Sequence, residues 1–193
     1  MRRRNPPMKA LPSCWLVSDP ERGGKLLSTM AVLPRGSGVI FRHYNVTDRE
    51  DLARRAMRLA RRRGLLFILA GDERLARRIG ADGVHMPGFE NVHRPLTAAA
   101  HDRGEIVRAA RAGARAVFLS PVFATGSHPG ALPLGRVRFG LLARHSPLPV
   151  IALGGMTRAR YRSLVPLGAR GWAAVSALSK SAGSGHSPRG TVC

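Results

Sequence analysis

Acidic side chains are scarce in this chain. Eleven Asp and Glu stand against 32 Lys and Arg, a formal charge of +21 over 193 residues. Lysine is nearly missing as well, represented by Lys9, Lys25 and Lys180 alone, so arginine carries the charge. Cysteine is limited to Cys14 and Cys193, at opposite ends. That pair offers neither metal-ligand spacing nor a disulfide framework and suits a reducing cytoplasm. No apolar run approaches the length needed to span a bilayer. The start, MRRRNPPMK, is basic, but Pro12 cuts short the apolar run after it, which makes a poor signal peptide. No G-x-G-x-x-G follows the first strand pattern, which counts against a dinucleotide-binding open sheet. The expectation is a cytoplasmic protein with no membrane partner.

A charge this large raises nucleic acid or another anionic surface as a partner. The distribution argues otherwise. Between residues 49 and 63 the arginines avoid the stripe of Leu52, Ala56, Leu59 and Ala60, as a solvated helix face does. The aromatics that could stack on bases (Trp15, Phe41, Phe67, Phe118, Trp172) fall inside apolar strand patterns, where a core needs them. Nucleic acid is therefore not expected as the main partner.

Apolar residues make up 44% of the sequence, enough for one well-packed domain and too short a chain for two of ordinary size. Short strand patterns recur at 14–18, 38–43, 65–70, 83–86, 96–100, 116–120, 150–153 and 172–176. Helical patterns lie between most of them. Thr47 with Glu50, and Asp102 with Glu105, carry the spacing of helix-capping boxes. Only a Pro/Gly/Asn-rich loop separates the fourth strand from the fifth. Alternation of this kind predicts an α/β fold, a (β/α)8 TIM barrel with the helix after strand four shortened or missing. The domain is expected over residues 11–180, after a basic segment (1–10) and before a disordered tail (181–193).

The stretch PLPVIALGGMTRARYRSLVPLGARGWAAVSAL, residues 147–178, organises the rest. It reads as a strand, two glycines, a helix and a second strand ending at Ser176. Gly154 and Gly155 let backbone N–H groups approach an anion, and the following helix points its positive end to the same place. Loops after the last two strands of such a barrel build phosphate cups. Close helix–strand packing is the bland alternative for the glycines.

With those segments in view, GADGVHMPG (80–88), LSPVFATGSHPGALPLG (119–135), VIALGGM (150–156) and GWAAVSAL (171–178) resemble the thiamine-phosphate synthase/TenI superfamily. The resemblance implies a thiamine-biosynthesis enzyme that binds a phosphorylated thiazole or thiamine phosphate at the barrel mouth, with the phosphate on Gly155, Val175 and Ser176. It implies one of two reactions. The synthase couples a pyrimidine pyrophosphate to thiazole phosphate with Mg²⁺. The TenI-type branch moves protons on a thiazole carboxylate phosphate and needs no metal.

Departures from the synthase pattern favour the second. Its strand-two Gln-x-Arg-x-Lys reads Ile40-Phe41-Arg42-His43-Tyr44, so only the Arg survives. Its strand-three Asn-Asp is Ala70-Gly71, with Asp72 one place off, and its second metal ligand falls on Glu90. The Ser two before the strand-five His is Ala99, and Thr-x-Thr-Lys reads Thr125-Gly126-Ser127-His128. Pyrophosphate leaves badly unless cations neutralise it. Proton transfer by His101, the TenI-type histidine after strand five, asks for less. A divergent synthase using Asp72 and Glu90 for Mg²⁺ is the alternative, and a non-catalytic phosphate-ligand binding or regulatory protein is the alternative of another class.

His101 is the candidate acid/base, with Arg42 beside it as the holder of a carboxylate or second anion. A pair with Asp19 or Asp72 is the other reading of Arg42. Thr125, Ser127 and His128 lie on a loop able to close over ligand, joining Gly154, Gly155, Val175 and Ser176 as the binding set. His85 reads as core or a support, Asp82 as a turn residue, and His43 as facing the helices. A homo-oligomer is left open.

Overall fold

The computed structural model describes residues 11–20, 26–86, 96–126 and 130–175. Eight parallel strands close on themselves in sequence order, β1 (Cys14–Val17), β2 (Gly38–Phe41), β3 (Leu66–Ala70), β4 (Gly83–Met86), β5 (Thr97–Ala100), β6 (Ala116–Leu119), β7 (Val150–Ala152) and β8 (Ala169–Ala174). The last pairs with the first, Trp15 opposite Ala173. The fold is the expected TIM barrel. Helices α1 (Leu26–Val32), α2 (Arg49–Arg63), α3 (Glu73–Ile79), α4 (Arg103–Arg111), α5 (Gly135–Arg144) and α6 (Arg158–Leu164) pack outside it. The expected gap in the helix layer after strand four falls on residues 87–95, outside the described residues, as do residues 1–10 and the tail.

Alternation along each strand sorts two cores. Trp15, Val17, Ile40, Ile68, Ala70, Phe118, Ile151 and Ala173 fill the barrel, while Leu16, Val39, Phe41, Phe67, Leu69, Val117 and Trp172 face the helices. All five aromatics expected in the core are buried. Trp15 fills the interior from the first strand, its ring edge-on to Phe118 at 5.3 Å between centroids and its Nε1 donating to Pro12 O at 2.7 Å. Gly38 makes this fit possible, because a Cβ there would lie 2.1 Å from the indole Cε3.

Two local expectations are corrected. The Thr47 capping box does not form: Asp48 precedes α2 and no side chain caps it. Glu50 instead spends its carboxylate on Arg54 (2.7 Å) and Arg78 (2.9 Å), which outcompete a backbone N–H for it. The eighth strand begins at Ala169 rather than Trp172, since a register shift against β7 admits Arg170 as an extra, exposed residue. Cys14 is in a disulfide, contrary to the reading of its spacing, and the rest of that bridge lies outside the described residues. No described helix is long and apolar enough to cross a membrane.

Candidate active site at the barrel mouth

Strand exits and helix starts share one end of a βα barrel, and there the topology gathers the candidate residues. On β5, Thr97 and Ala99 point inward by alternation, which turns His101 toward the mouth as well. Asp102 ends the extended run and caps α4, its Oδ1 accepting from Glu105 N at 2.8 Å. In a capping box Glu105 would reach back to the cap residue itself. Here it reaches one residue further. Its Oε2 accepts from His101 N at 2.6 Å and lies 2.9 Å from His101 Nδ1. With Nδ1 facing a carboxylate the ring is held, and Nε2 bonds to no described residue. Glu105 is legible in the sequence as a capping residue, but its bond to the histidine is not. The spacing of 101 and 105 is the signal that could have found it, since i and i+4 meet at the start of a helix.

Gly154 (φ +93°) and Gly155 (φ +61°) leave β7 in the left-handed region. A Cβ on Gly154 would lie 2.7 Å from Pro121 Cα, and one on Gly155 2.5 Å from Ala124 O. The glycines therefore let the loop after β6 lie against the loop after β7. Two bonds lock the loops together: Val122 N donates to Leu153 O at 2.9 Å, and Phe123 N to Gly154 O at 3.1 Å. The carbonyls are thus used, while the N–H groups of Gly154 and Gly155 donate to no described residue. These are the amides an oxyanion needs. Arg160 adds a cation that the sequence did not mark. It donates to Gly155 O and lies over the Phe123 ring, 4.7 Å from its centre. The β7–β8 register pairs Ala152 with Trp172, so Val175 leaves β8 beside the Gly-Gly turn. Thr125 is half-buried on the neighbouring loop. Ser127, His128 and Ser176 lie outside the described residues.

Arg42 is half-buried at the exit of β2 and pairs with Asp19 (Nη2 to Oδ2, 3.0 Å), one of the two partners considered for it. Its Nη1 makes no bond to a described residue and so keeps donors for a ligand. Ser18 ties the same corner together, accepting from Arg42 N at 2.8 Å and meeting His43 Nδ1 at 2.9 Å. His43 stacks on Phe41, 4.9 Å between centroids, on the helix side. Burial above all lowers its pKa, with Asp19 opposing and Arg42 and Arg49 assisting. His85 is deep inside the barrel, Nδ1 to Thr97 Oγ1 at 2.9 Å and edge-on to Phe118. Burial, then Arg42, lowers its pKa to about 3, so it is a neutral core residue at neutral pH. Asp82 closes no local turn: its side chain accepts from Phe67 N at 2.8 Å and its own N–H donates to Phe67 O at 2.8 Å, tying the approach to β4 onto β3.

Asp72 is already committed. Its Oδ1 caps α3 by accepting from Leu75 N at 2.8 Å, and its Oδ2 pairs with Arg49 at 3.1 Å. Arg49 also donates to His43 O and Ala70 O, at 2.7 and 3.1 Å, and so braces the exits of β2 and β3. Among the described residues no three His, Cys, Asp or Glu gather as a metal site. Glu90 lies outside them. The Mg²⁺ used by synthases thus finds no fit in the described residues around Asp72, whose neighbour is a cation.

Comparison with known proteins decides the family. A family model described as thiamine monophosphate synthase (TMP-TENI) matches residues 15–178. The chain belongs to this family. Thiamine-phosphate synthase of Geobacillus kaustophilus is 34% identical over 146 residues, 68% of this chain and 64% of that protein. The Laribacter hongkongensis thiamine-phosphate synthase is 30% identical over 184 residues, covering 86% of this chain and 87% of that one. Among solved structures, thiamine phosphate pyrophosphorylase from Pyrococcus furiosus superposes with a TM-score of 0.70 at 15% identity, over 89% of this chain and 95% of its own. That likeness speaks to the fold.

Proposed function

We propose that this thiamine monophosphate synthase family member binds a phosphorylated thiazole at the barrel mouth and moves a proton on it. The Gly154 and Gly155 amides take the phosphate, with Val175, Ser176, Thr125, Ser127 and His128 completing the cup. Arg160 supplies positive charge behind the turn. Arg42 Nη1 holds the carboxylate or second anion. His101 Nε2 is the acid/base: one C–H bond of the bound thiazole breaks, its electron pair enters the ring system, and the same imidazole returns a proton at another ring position. Atoms and charge balance without a further reactant. The observation that carries this reading is the His101–Glu105 pair, which orients the ring by a carboxylate 2.9 Å from Nδ1. No cofactor is required.

A second reading is favoured by the relatives. The proteins matched at 34% and 30% identity are both named thiamine-phosphate synthases. Coupling a pyrimidine pyrophosphate to thiazole phosphate would use the same cup. Assaying the purified protein on both substrate sets decides between them. Isomerisation of the thiazole carboxylate phosphate, with no coupling above background in Mg²⁺, supports proton transfer; Mg²⁺-dependent thiamine phosphate formation without isomerisation overturns it.

A further inference from the structure

Charge is sorted along the barrel axis. Every described carboxylate except Asp82 lies at the mouth, on strand exits or in the first turns of helices: Asp19, Asp48, Glu50, Asp51, Asp72, Glu73, Asp102 and Glu105. The opposite end, where strands enter and helices stop, is arginine. Arg61, Arg62 and Arg63 finish α2, Arg111 finishes α4, Arg35 sits in the turn before β2, and Arg170 is the extra residue of β8. None of these six forms an ion pair with a described carboxylate. Two of them are tied to backbone carbonyls instead. Arg63 donates to Leu33 O and Arg61 to Gly80 O, both at 3.2 Å, and Gly36 N donates to Gly64 O at 3.0 Å. That places Arg35 against the end of α2.

Helix dipoles favour cations in a last turn. They do not account for Arg35 or Arg170, which belong to no helix. An exposed arginine surface with no ion-pair partner among the described carboxylates has one obvious chemical counterpart, a polymer of phosphate groups. Arginine forks match phosphate oxygens in pairs, as lysine does not. At this end the exposed large apolar side chains among the described residues are three aliphatic ones, Val32, Leu141 and Val165. Such a surface has little to insert into lipid and no described exposed aromatic on which a base would stack.

We propose that the strand-entry end of the barrel binds the phosphodiester backbone of duplex nucleic acid, without sequence preference, as a role separate from the mouth. The sequence alone hides this, because the six arginines become one surface only when the barrel closes.

The test compares two variants of equal charge by fluorescence anisotropy on a labelled mixed-sequence DNA duplex. One replaces Arg35, Arg62, Arg111 and Arg170 with Gln; the other replaces Arg74, Arg103, Arg136 and Arg138, which lie in first turns at the mouth. Wild type is expected to bind with steep salt dependence between about 50 and 200 mM. The entry-end variant is expected to lose about 100-fold in affinity at the lower salt, and about three to four units of salt slope, while the mouth variant loses less than about tenfold. Equal losses in both variants reduce the effect to net charge and overturn the proposal. So does absence of wild-type binding, or binding to anionic phosphatidylserine vesicles with none to duplex. Thermal unfolding of both variants checks that each folds.

Discussion

Glu105 Oε2 touches His101 twice, at the backbone N–H (2.6 Å) and at Nδ1 (2.9 Å). A single carboxylate therefore fixes where the chain leaves β5 and how the imidazole is turned. Replacing His101 with Asn removes the proposed proton carrier, and on that proposal lowers the proton-transfer kcat by about 10²–10⁴-fold with little change in KM. Glu105→Gln keeps an acceptor for the backbone N–H but loses the charge. It should lower kcat by about tenfold, again with KM little moved, as expected of a positioning residue. Steady-state kinetics on the thiazole substrate check both. If the histidine variant turns over normally, His101 is not the base.

Asp72 tests the metal question from a different side. Asn is as good a helix cap as Asp, so Asp72→Asn keeps the bond to Leu75 N and gives up the pair with Arg49. Both partners are partly exposed, and the pair is worth at most about 1 kcal/mol. A small drop in Tm is expected, with no change in the response of any activity to Mg²⁺. Loss of Mg²⁺-stimulated turnover in this variant would restore Asp72 as a ligand.

How much of this was legible follows from range. The eight strands and the inward set of Trp15, Ile40, Ile68 and Phe118 obey a period of two that any strand shows in its own sequence. Asp102 capping through Glu105 N is equally local. Long-range partners were legible only in part: Asp19 was one of two partners open to Arg42, whereas Arg49 meeting Asp72 across 23 positions carries no local mark. The Thr47 capping box failed for that reason, since Arg78, 28 positions away in sequence, competes for Glu50. Arg160 carries no local mark either. Its place beside Gly155 depends on how α6 docks. The extra residue at Arg170 is set by register with β7 and is invisible within one strand.

His85 sets a pH limit. Its folded pKa, lowered from 6.5 to about 3 by burial and then by Arg42, lies below that of the unfolded chain. The unfolded state therefore takes up the proton first, so this stability is present above about pH 6.5 and is lost as pH falls below it toward 3. His43, lowered chiefly by burial, acts in the same direction. Urea midpoints should fall between about pH 7 and pH 5, and His85→Gln should flatten that fall. An unchanged pH profile in the variant would show that the ring is solvated when folded.

Gly38 is where the barrel interior is tightest. An added Cβ would meet Trp15 Cε3 at 2.1 Å, closer than any real contact, and the indole is pinned by Nε1 to Pro12 O. Gly38→Val must therefore push Trp15 against Phe118 or open the β1–β2 pairing at the Trp15–Gly38 register point. Overpacking of this kind costs about 1–3 kcal/mol or more. Chemical denaturation is expected to show that loss, and a variant as stable as wild type would place the indole elsewhere.

At Gly154 and Gly155 stability and binding are separable. Alanine at either position faces a left-handed φ and a backbone atom of the β6 loop, at 2.7 Å for Gly154 and 2.5 Å for Gly155. Strain of about 1–3 kcal/mol should lower Tm in each variant. Where the chain still folds, the turn must rotate and carry with it the two amides that bond to no described residue. If the phosphate uses those donors as proposed, affinity for a phosphorylated thiazole falls at least tenfold, while the weak affinity for the same thiazole without phosphate stays as it was. Calorimetric titration with the two ligands reads the difference directly. An equal loss for both would mean that the glycines only let the loops pack, and the anion sits elsewhere in the mouth.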